Sequence, residues 1–429
     1  MDRILSAVER LKLREEQLFL AVTIGIGVTA GLVAVLFALS IDLVSHQLFG
    51  LAPSWRRLIL VPTAVSLLTG YLLVKWFPDV RGSGVPQTAA AYRLVDGHIA
   101  ARVPLGKFLV GILCIGSGHS IGREGPSVQI GAGLASAVGR WIGLSPERAR
   151  SLIPVGAAAA LAAAFNTPVA AVLFALEEIV GDLNASLLGS TVIAAVSATM
   201  VERAILGNTP LFRVPAYSVV HPLELIAYAG LGVLGGGLSV IFCKGLLFLR
   251  GQFRRLPVWS RLYQPAAGGL MVGLILIAVP QVMGVGYEFI DQALNGGVVL
   301  KTMILLALVK IVATTISYAS GNAGGIFAPT LYIGAMAGGA VGLVMHWLAP
   351  FPTGSSGAYA LVGMGALFAG VIRAPMTSVF MVFEITQDYQ ILVPLMVANL
   401  LSFAISRRYQ PMTVYHAFLA QDGVRLPEG

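Results

Sequence analysis

The chain is 429 residues long, 57% hydrophobic and only 11% charged, against roughly 25% charged for an ordinary soluble domain. Its net charge of +8 gathers near the ends of apolar stretches, as at Arg3, Arg10, Lys12 and Arg14 or at Arg56 and Arg57, the positive-inside pattern of a membrane protein. These values exclude a soluble globular domain and remove nucleic acid as the reason for the basic balance.

Residues 1–16 alternate in charge and lack the apolar core of a cleaved leader, so they read as a cytoplasmic amphipathic lead-in. Residues 17–41, between Glu16 and Asp42, are uncharged and long enough to span a bilayer core of about 30 Å. Residues 58–74 and 262–287 read as further spans. Between Lys310 and Arg373 no Asp, Glu, Lys or Arg occurs, which leaves room for two or more. The chain is therefore an α-helical protein that crosses the membrane several times. Only Cys114 and Cys243 are present, each in an apolar stretch, and no disulfide framework is expected.

The apolar stretches are broken where a plain span would continue. Gly82-Ser83-Gly84-Val85-Pro86 follows the second span, and Gly116-Ser117-Gly118 precedes Gly122-Arg123-Glu124-Gly125-Pro126. Asn166-Thr167-Pro168 interrupts residues 151–176, and residues 321–329 sit in the middle of the charge-free region. Irregular backbone at membrane depth needs protein or a water-filled cavity to satisfy its polar groups. Discontinuous helices around a midplane site are a transporter device. With 50 glycines, close helix crossings are also expected.

Glu124 carries the most information. Uncharged residues 108–122 precede its motif, and residues 127–139 after it are uncharged too. An ionisable group inside a membrane-embedded region is costly and marks function by default. Pro126 suits the first position of a helix, so Glu124 leads into a helix that starts inside the protein. Backbone N–H groups and the positive dipole end attract anions there. A carboxylate that can occupy an anion site and then leave it is a gate. The plainer reading is a first-turn glutamate that only complements its helix dipole.

The chain also repeats itself. Pro126, Ile130, Gly131, Ala132 and Gly139 recur as Pro329, Ile333, Gly334, Ala335 and Gly342, 203 positions on. Val155, Gly156, Pro168 and Glu177 recur as Val362, Gly363, Pro375 and Glu384, 207 positions on. Residues 17–205 and 206–410 thus read as two membrane repeats, with 411–429 as a last helix and short tail. Sequence does not reveal their relative orientation. If they are inverted, the helix starts at Glu124 and Ile326 meet near the midplane and aim two positive ends at one anion.

Gly82-Ser83-Gly84-Val85-Pro86, Gly122-Arg123-Glu124-Gly125-Pro126 and Gly325-Ile326-Phe327-Ala328-Pro329 resemble the three signature loops of the CLC family of chloride channels and chloride/proton antiporters. Pro411-Met412-Thr413-Val414-Tyr415 resembles the family's last helix. The resemblance runs in family order over nearly the whole chain. It implies an all-α polytopic membrane protein, with two inverted structural repeats and broken and re-entrant helices around a midplane anion site. It implies that Ser83 and Tyr415 offer hydroxyls, and Ile326 and Phe327 backbone N–H groups, to a central chloride. Glu124 would be the gating glutamate, competing for an outer chloride site at the helix start from Arg123 to Gly125. Glu178 would be the internal glutamate that passes protons from the cytoplasm.

Channels of the family usually lack that second acid, so the implied activity is secondary-active exchange of chloride for protons. The alternative is a passive voltage- or pH-gated chloride channel. The resemblance further implies a homodimer with one pathway per subunit, in contact with membrane lipid, and in the inner membrane if bacterial. No cofactor or metal is expected beyond the transported ions. Ser83 matches chloride-preferring members, where a proline marks nitrate-preferring ones, and the fluoride-specific branch departs from the pattern kept here. The residues after Leu419 leave no room for paired cytosolic regulatory domains, so regulation through them is not expected.

Each residue also has a plainer reading. Ser83 reads as an N-cap as well as a ligand. Without the resemblance, Tyr415 reads as packing in a tail helix, and Glu177 and Glu178 as interfacial acids at a helix end. Glu177 and Glu384 are structural candidates. Lys107 and Arg123 either tune the field or snorkel. Ser117 and His119 together offer the groups of an intramembrane hydrolase, but neighbours along one chain point apart and no supporting Asp is evident. The other histidines lack metal-ligand spacing and no P-loop is present. The chain is not read as an enzyme.

Overall fold

The computed structural model describes residues 15–426 except 51–52, 96, 183–184, 209, 213, 216, 218–219 and 387–388. The lead-in expected over residues 1–16 lies outside the described residues, apart from the backbone of Glu15 and Glu16, which opens the first helix. The first half holds α1 (Glu15–Phe49), α2 (Trp55–Lys75), α3 (Val85–Leu94), α4 (Arg102–Gly116), α5 (Glu124–Trp141) and α6 (Pro146–Phe165). It continues with the short α7 (Pro168–Phe174), which runs on as a π-helical turn, Ala175–Val180, and ends with α8 (Ala185–Leu206). The second half holds α9 (Glu224–Arg255), α10 (Gln264–Ala278), α11 (Tyr287–Leu294) and α12 (Leu300–Ala319). Next come α13 (Phe327–Leu348), α14 (Ser356–Val371), α15 (Pro375–Thr386) and α16 (Leu392–Tyr409), and α17 (Val414–Gln421) follows both halves. Among the described residues, seven helices are long and apolar enough to cross a membrane.

The stretch 262–287 is not one span, which corrects the hydropathy reading. Val279 precedes Pro280 and leaves the helical region (φ −138°, ψ 74°), as the residue before a proline is driven to do. A 3-10 turn at Pro280–Val282 and a left-handed Gly286 (φ +83°) then launch α11. The break at Asn166 is as expected. Asn166 ends α6 at φ +56° and Pro168 restarts the chain, and Arg373 (φ +68°) and Pro375 do the same between α14 and α15.

Helices α1–α8 recur in order as α9–α16. α1 packs on α6 and α8 as α9 packs on α14 and α16, and α2 joins the halves through α10. Two observations fix the orientation that sequence left open. Gly122 and Gly325 exchange both backbone hydrogen bonds at 2.7 Å in an antiparallel bridge. Glu177 accepts from the N–H groups of Met376 (3.1 Å) and Thr377 (2.8 Å) at the start of α15. Its twin Glu384 accepts from those of Val169 (2.9 Å) and Ala170 (2.8 Å) at the start of α7. Each carboxylate satisfies N–H groups that a helix start leaves without partners. Bringing the end of one helix to the start of its twin, and back again, requires a two-fold axis between antiparallel copies. The repeats are inverted.

Within each repeat the backbones touch. A Cβ on Gly131 would overlap the Gly156 carbonyl oxygen, and one on Gly334 would overlap that of Gly363. Small residues at such crossings allow close packing where lipid supplies no hydrophobic drive. Gly363→Ala is therefore expected to destabilise by roughly 1–3 kcal/mol. Gly230→Ala, whose added Cβ meets nothing within 4 Å, should not. Thermal melts of the two variants in detergent check this.

Candidate functional site

Three interrupted segments are laced together where α3, α5 and α13 begin. The Gly324 N–H donates to the Gly82 carbonyl (3.1 Å), and the Gly122–Gly325 pair joins the other two segments. Residues 82–84 turn on two left-handed glycines, Gly82 (φ +77°) and Gly84 (φ +101°). A Cβ at Gly84 would also stand 2.9 Å from the Gly125 carbonyl oxygen, so no other residue fits. Fully buried Lys107 ties this loop from behind, donating to Val80 O (2.7 Å) and Gly82 O (2.6 Å). Lys310 ties the matching loop of the second repeat through Val282 O (3.0 Å) and Gly284 O (2.8 Å). Lys107 therefore does not snorkel. Broken backbone leaves carbonyl lone pairs without helical partners, and the ammonium satisfies one on Val80 and a second on Gly82, beside the Gly324 N–H.

Ser83 is buried between the two glycines, and its hydroxyl has no hydrogen-bond partner among the described residues. It is not the N-cap of α3, which corrects the capping reading. That position belongs to Gly84, whose N–H donates to Gln87 Oε1 (3.0 Å). Tyr415 on α17 is also buried, with a hydroxyl that has no partner among the described residues and with Ser83 as neighbour. Its helix is anchored by Thr413 Oγ1, which accepts from the His416 N–H (3.3 Å), and by Tyr318 stacked on Phe418 at 4.7 Å. A buried polar group without a partner costs about 1–3 kcal/mol, and native proteins leave few. Two adjacent hydroxyl donors suit a ligand that accepts hydrogen bonds.

Ile326 is the N-cap of α13 and Phe327 its first residue, one position from the expected start. The Phe327 ring is gripped by Phe165, Phe174 and Phe368, with centroids 5.0, 5.7 and 4.5 Å away. That grip fixes the direction in which the first N–H groups of α13 point. Glu124 is the first residue of α5, with Arg123 as N-cap and Pro126 in the third position rather than the first. Its carboxylate is fully buried. Oε1 accepts from the Tyr287 hydroxyl, and Oε2 accepts from the Ala328 N–H at 3.4 Å. The acid thus reaches across to the start of α13 and sits where a helix-start amide would hold an anion. Gly125 brings α5 against the serine loop, since a Cβ there would overlap Ser83 Oγ. Arg123 lies 5.4 Å over the Tyr287 ring, and its Nε has no partner among the described residues.

Glu178 lies on the π-helical turn, 7% exposed. Such widened turns recur at functional sites, and this one divides two consecutive acids. Glu177 is committed to α15, while Glu178 lies within electrostatic range of Arg93, Arg373 and the Tyr415 hydroxyl. The serine and imidazole considered as a hydrolase pair are engaged elsewhere. Ser117 donates to Cys114 O (3.0 Å), and the His119 ring nitrogens face the hydroxyls of Ser66 and Ser317.

Sequence reasoning missed Tyr287. Its one signal was weak: Gly284-Val285-Gly286-Tyr287 falls 202 positions after Gly82-Ser83-Gly84-Val85.

The sequence profile of a family described as "voltage gated chloride channel" matches residues 64–407. A putative chloride channel protein, ClcB-like, of Ralstonia nicotianae is 37% identical over 387 residues, covering 87% of this chain and 89% of that protein. The H(+)/Cl(−) exchange transporter ClcA of Vibrio campbellii is 33% identical over 424 residues, covering 94% and 91%. The crystal structure of a slow cyanobacterial Cl−/H+ antiporter superposes with a TM-score of 0.86 at 28% identity, over 94% of this chain and 97% of that one.

Proposed function

This chain belongs to the voltage-gated chloride channel family, and from that membership we propose that it is a secondary-active chloride/proton antiporter gated by Glu124. One observation carries the reading: a buried carboxylate seated on a helix-start N–H, close to two uncommitted hydroxyls. The central chloride takes its hydrogen bonds from Ser83, Tyr415 and the N–H groups of Ile326 and Phe327. Dehydrating a small anion costs at least several kcal/mol. Hydrogen bonds to a charged group return about 1.5–3 kcal/mol each, and each helix end about 0.3–2 kcal/mol. These terms balance without a fixed cation on the ion, and the buried lysines are turned onto carbonyls. The ion is held and still released, as conduction requires.

In the outer position, at the helix start from Arg123 to Gly125, the ionised Glu124 carboxylate stands in for chloride. Protonation removes the charge that holds it there, and the side chain leaves with its proton. Glu178 supplies that proton from the cytoplasmic side. The exchange needs no cofactor. The subunit works in a homodimer with its N-terminus in the cytoplasm, and in the inner membrane if its source is bacterial. The name of the Ralstonia relative favours a second reading, a passive chloride channel. Purified protein in liposomes decides between them. A chloride gradient should drive protons uphill, and chloride flux without proton movement would overturn the antiporter. A more local test is Ser83→Pro, which should raise the nitrate-to-chloride flux ratio. An unchanged ratio removes Ser83 as a ligand.

A further inference from the structure

We propose that Tyr287 is a positioning residue for the gate, its hydroxyl latching the Glu124 carboxylate in the outer position and setting the pH at which the gate lets go. The inference rests on the antiporter reading and adds to it a side chain from outside the signature loops. Tyr287 is the first residue of α11 and donates its O–H to Glu124 Oε1, while the Ala328 N–H holds Oε2. The carboxylate is therefore held by one donor from each of two helix starts in the second repeat.

Tyr287 has little freedom to follow a moving acid. The loop before it is tied by Lys310 to Val282 O and Gly284 O, and Gly286 turns in a left-handed conformation that a Cβ would spoil against the Tyr332 ring at 2.7 Å. The half-buried Tyr287 ring is packed between Phe165 (6.3 Å) and Phe212 (5.6 Å, edge-on), with the Arg123 guanidinium over it. The hydroxyl is a fixed post, and the glutamate is the part that moves.

The two repeats use the same loop for opposite ends of the pathway. In the first repeat, Gly82-Ser83-Gly84 turns on left-handed glycines, is tied by a buried lysine, and presents a hydroxyl beside Tyr415. In the second, Gly284-Val285-Gly286 turns and is tied the same way, but its central residue has no hydroxyl. Tyr287, two residues later in register than Ser83, supplies one to the carboxylate instead.

A hydrogen bond to an ionised acceptor is stronger than one to a neutral acceptor, so the latch favours the charged, seated gate. Other charged and titratable groups also face the acid. Arg123, Lys310 on α12 and Tyr415 on α17 lie within electrostatic range of it, while Asp42 on α1 and Glu202 on α8 lie within range of Arg123. Tyr287 and the Ala328 N–H both donate to its oxygens, one to each.

Tyr287→Phe keeps the ring and its packing and removes one O–H. Chloride efflux and proton uptake are followed together in proteoliposomes across the acid-to-neutral range. The pH of half-maximal chloride flux should move up by about one unit, giving about tenfold more flux above the midpoint, with the proton-to-chloride ratio unchanged. Tyr287→Gln, which retains a donor, should return the midpoint toward that of the parent. In a Glu124→Gln background, Tyr287→Phe should leave the profile unchanged. Superimposed parent and Phe profiles would overturn the latch, as would a change of about tenfold in chloride flux made by Tyr287→Phe in the pH-independent Glu124→Gln background, which would mark packing alone. If the parent passes chloride without protons, the antiporter reading fails, and the pH dependence of chloride flux still tests the latch.

Discussion

Glu124→Gln is expected to leave chloride flux running and to bring the protons moved per chloride down to background. Glutamine keeps the size of the side chain and an oxygen that can accept from Tyr287 or Ala328. It loses the charge that imitates chloride and the site that carries a proton. The carboxylate is seated by two hydrogen bonds, each worth about 1.5–3 kcal/mol to a charged acceptor, so neutralising it weakens the competitor without dismantling the site. Chloride flux should also lose its dependence on pH, because the only step that required a proton at the gate is gone. Parallel recordings with a chloride electrode and a pH electrode decide the matter. Uphill proton movement that survives the substitution would place the gate on another residue.

Glu178→Ala should give the same dissociation from the cytoplasmic side, with proton movement falling by about a hundredfold, the scale of a positioned proton donor, and chloride flux continuing. The neighbouring acid cannot take over. Glu177 is held by the Met376 and Thr377 N–H groups and by the Thr377 hydroxyl at 2.6 Å, and moving it would uncap α15. Glu178 has no such engagement among the described residues, and Arg93, Arg373 and the Tyr415 hydroxyl lie within electrostatic range of it. The alanine variant, assayed as above, should dissipate a chloride gradient while external pH stays flat. A parental proton trace would show that another group feeds Glu124.

Ser83, Glu124 and Phe327 were legible as candidates because each lies inside a contiguous motif whose chemistry is local, whereas Tyr415 and Glu178 stood out only through the family resemblance. Ser83 stands between glycines, Glu124 opens a helix in apolar surroundings, and Phe327 starts another. What could not be read depends on partners far away in the chain. Lys107 is indistinguishable from a snorkelling lysine until the carbonyls of Val80 and Gly82 are placed around it. Tyr287 is one more aromatic residue until Glu124, 163 positions earlier, meets it. The orientation of the repeats was out of reach for a related reason: parallel and inverted copies carry the same residues at the same offsets. Hydropathy ran α10 on through the following loop as far as Tyr287 because it averages over Pro280 and Gly286, where the backbone turns. The Ser83 capping error came from a single residue of register, set by the left-handed Gly84.

Biosynthesis inherits an order from the Glu177 and Glu384 caps. When residues up to α8 have left the ribosome, the amides of Val169 and Ala170 still await an acceptor, and Glu177 has nothing to accept from. A helix start leaves its first N–H groups without intrahelical partners. The early half by itself therefore lacks the carboxylate that accepts from those two amides. The four amides at the two helix starts and the two carboxylates are satisfied only when both halves are present, which ties the halves together through the starts of α7 and α15.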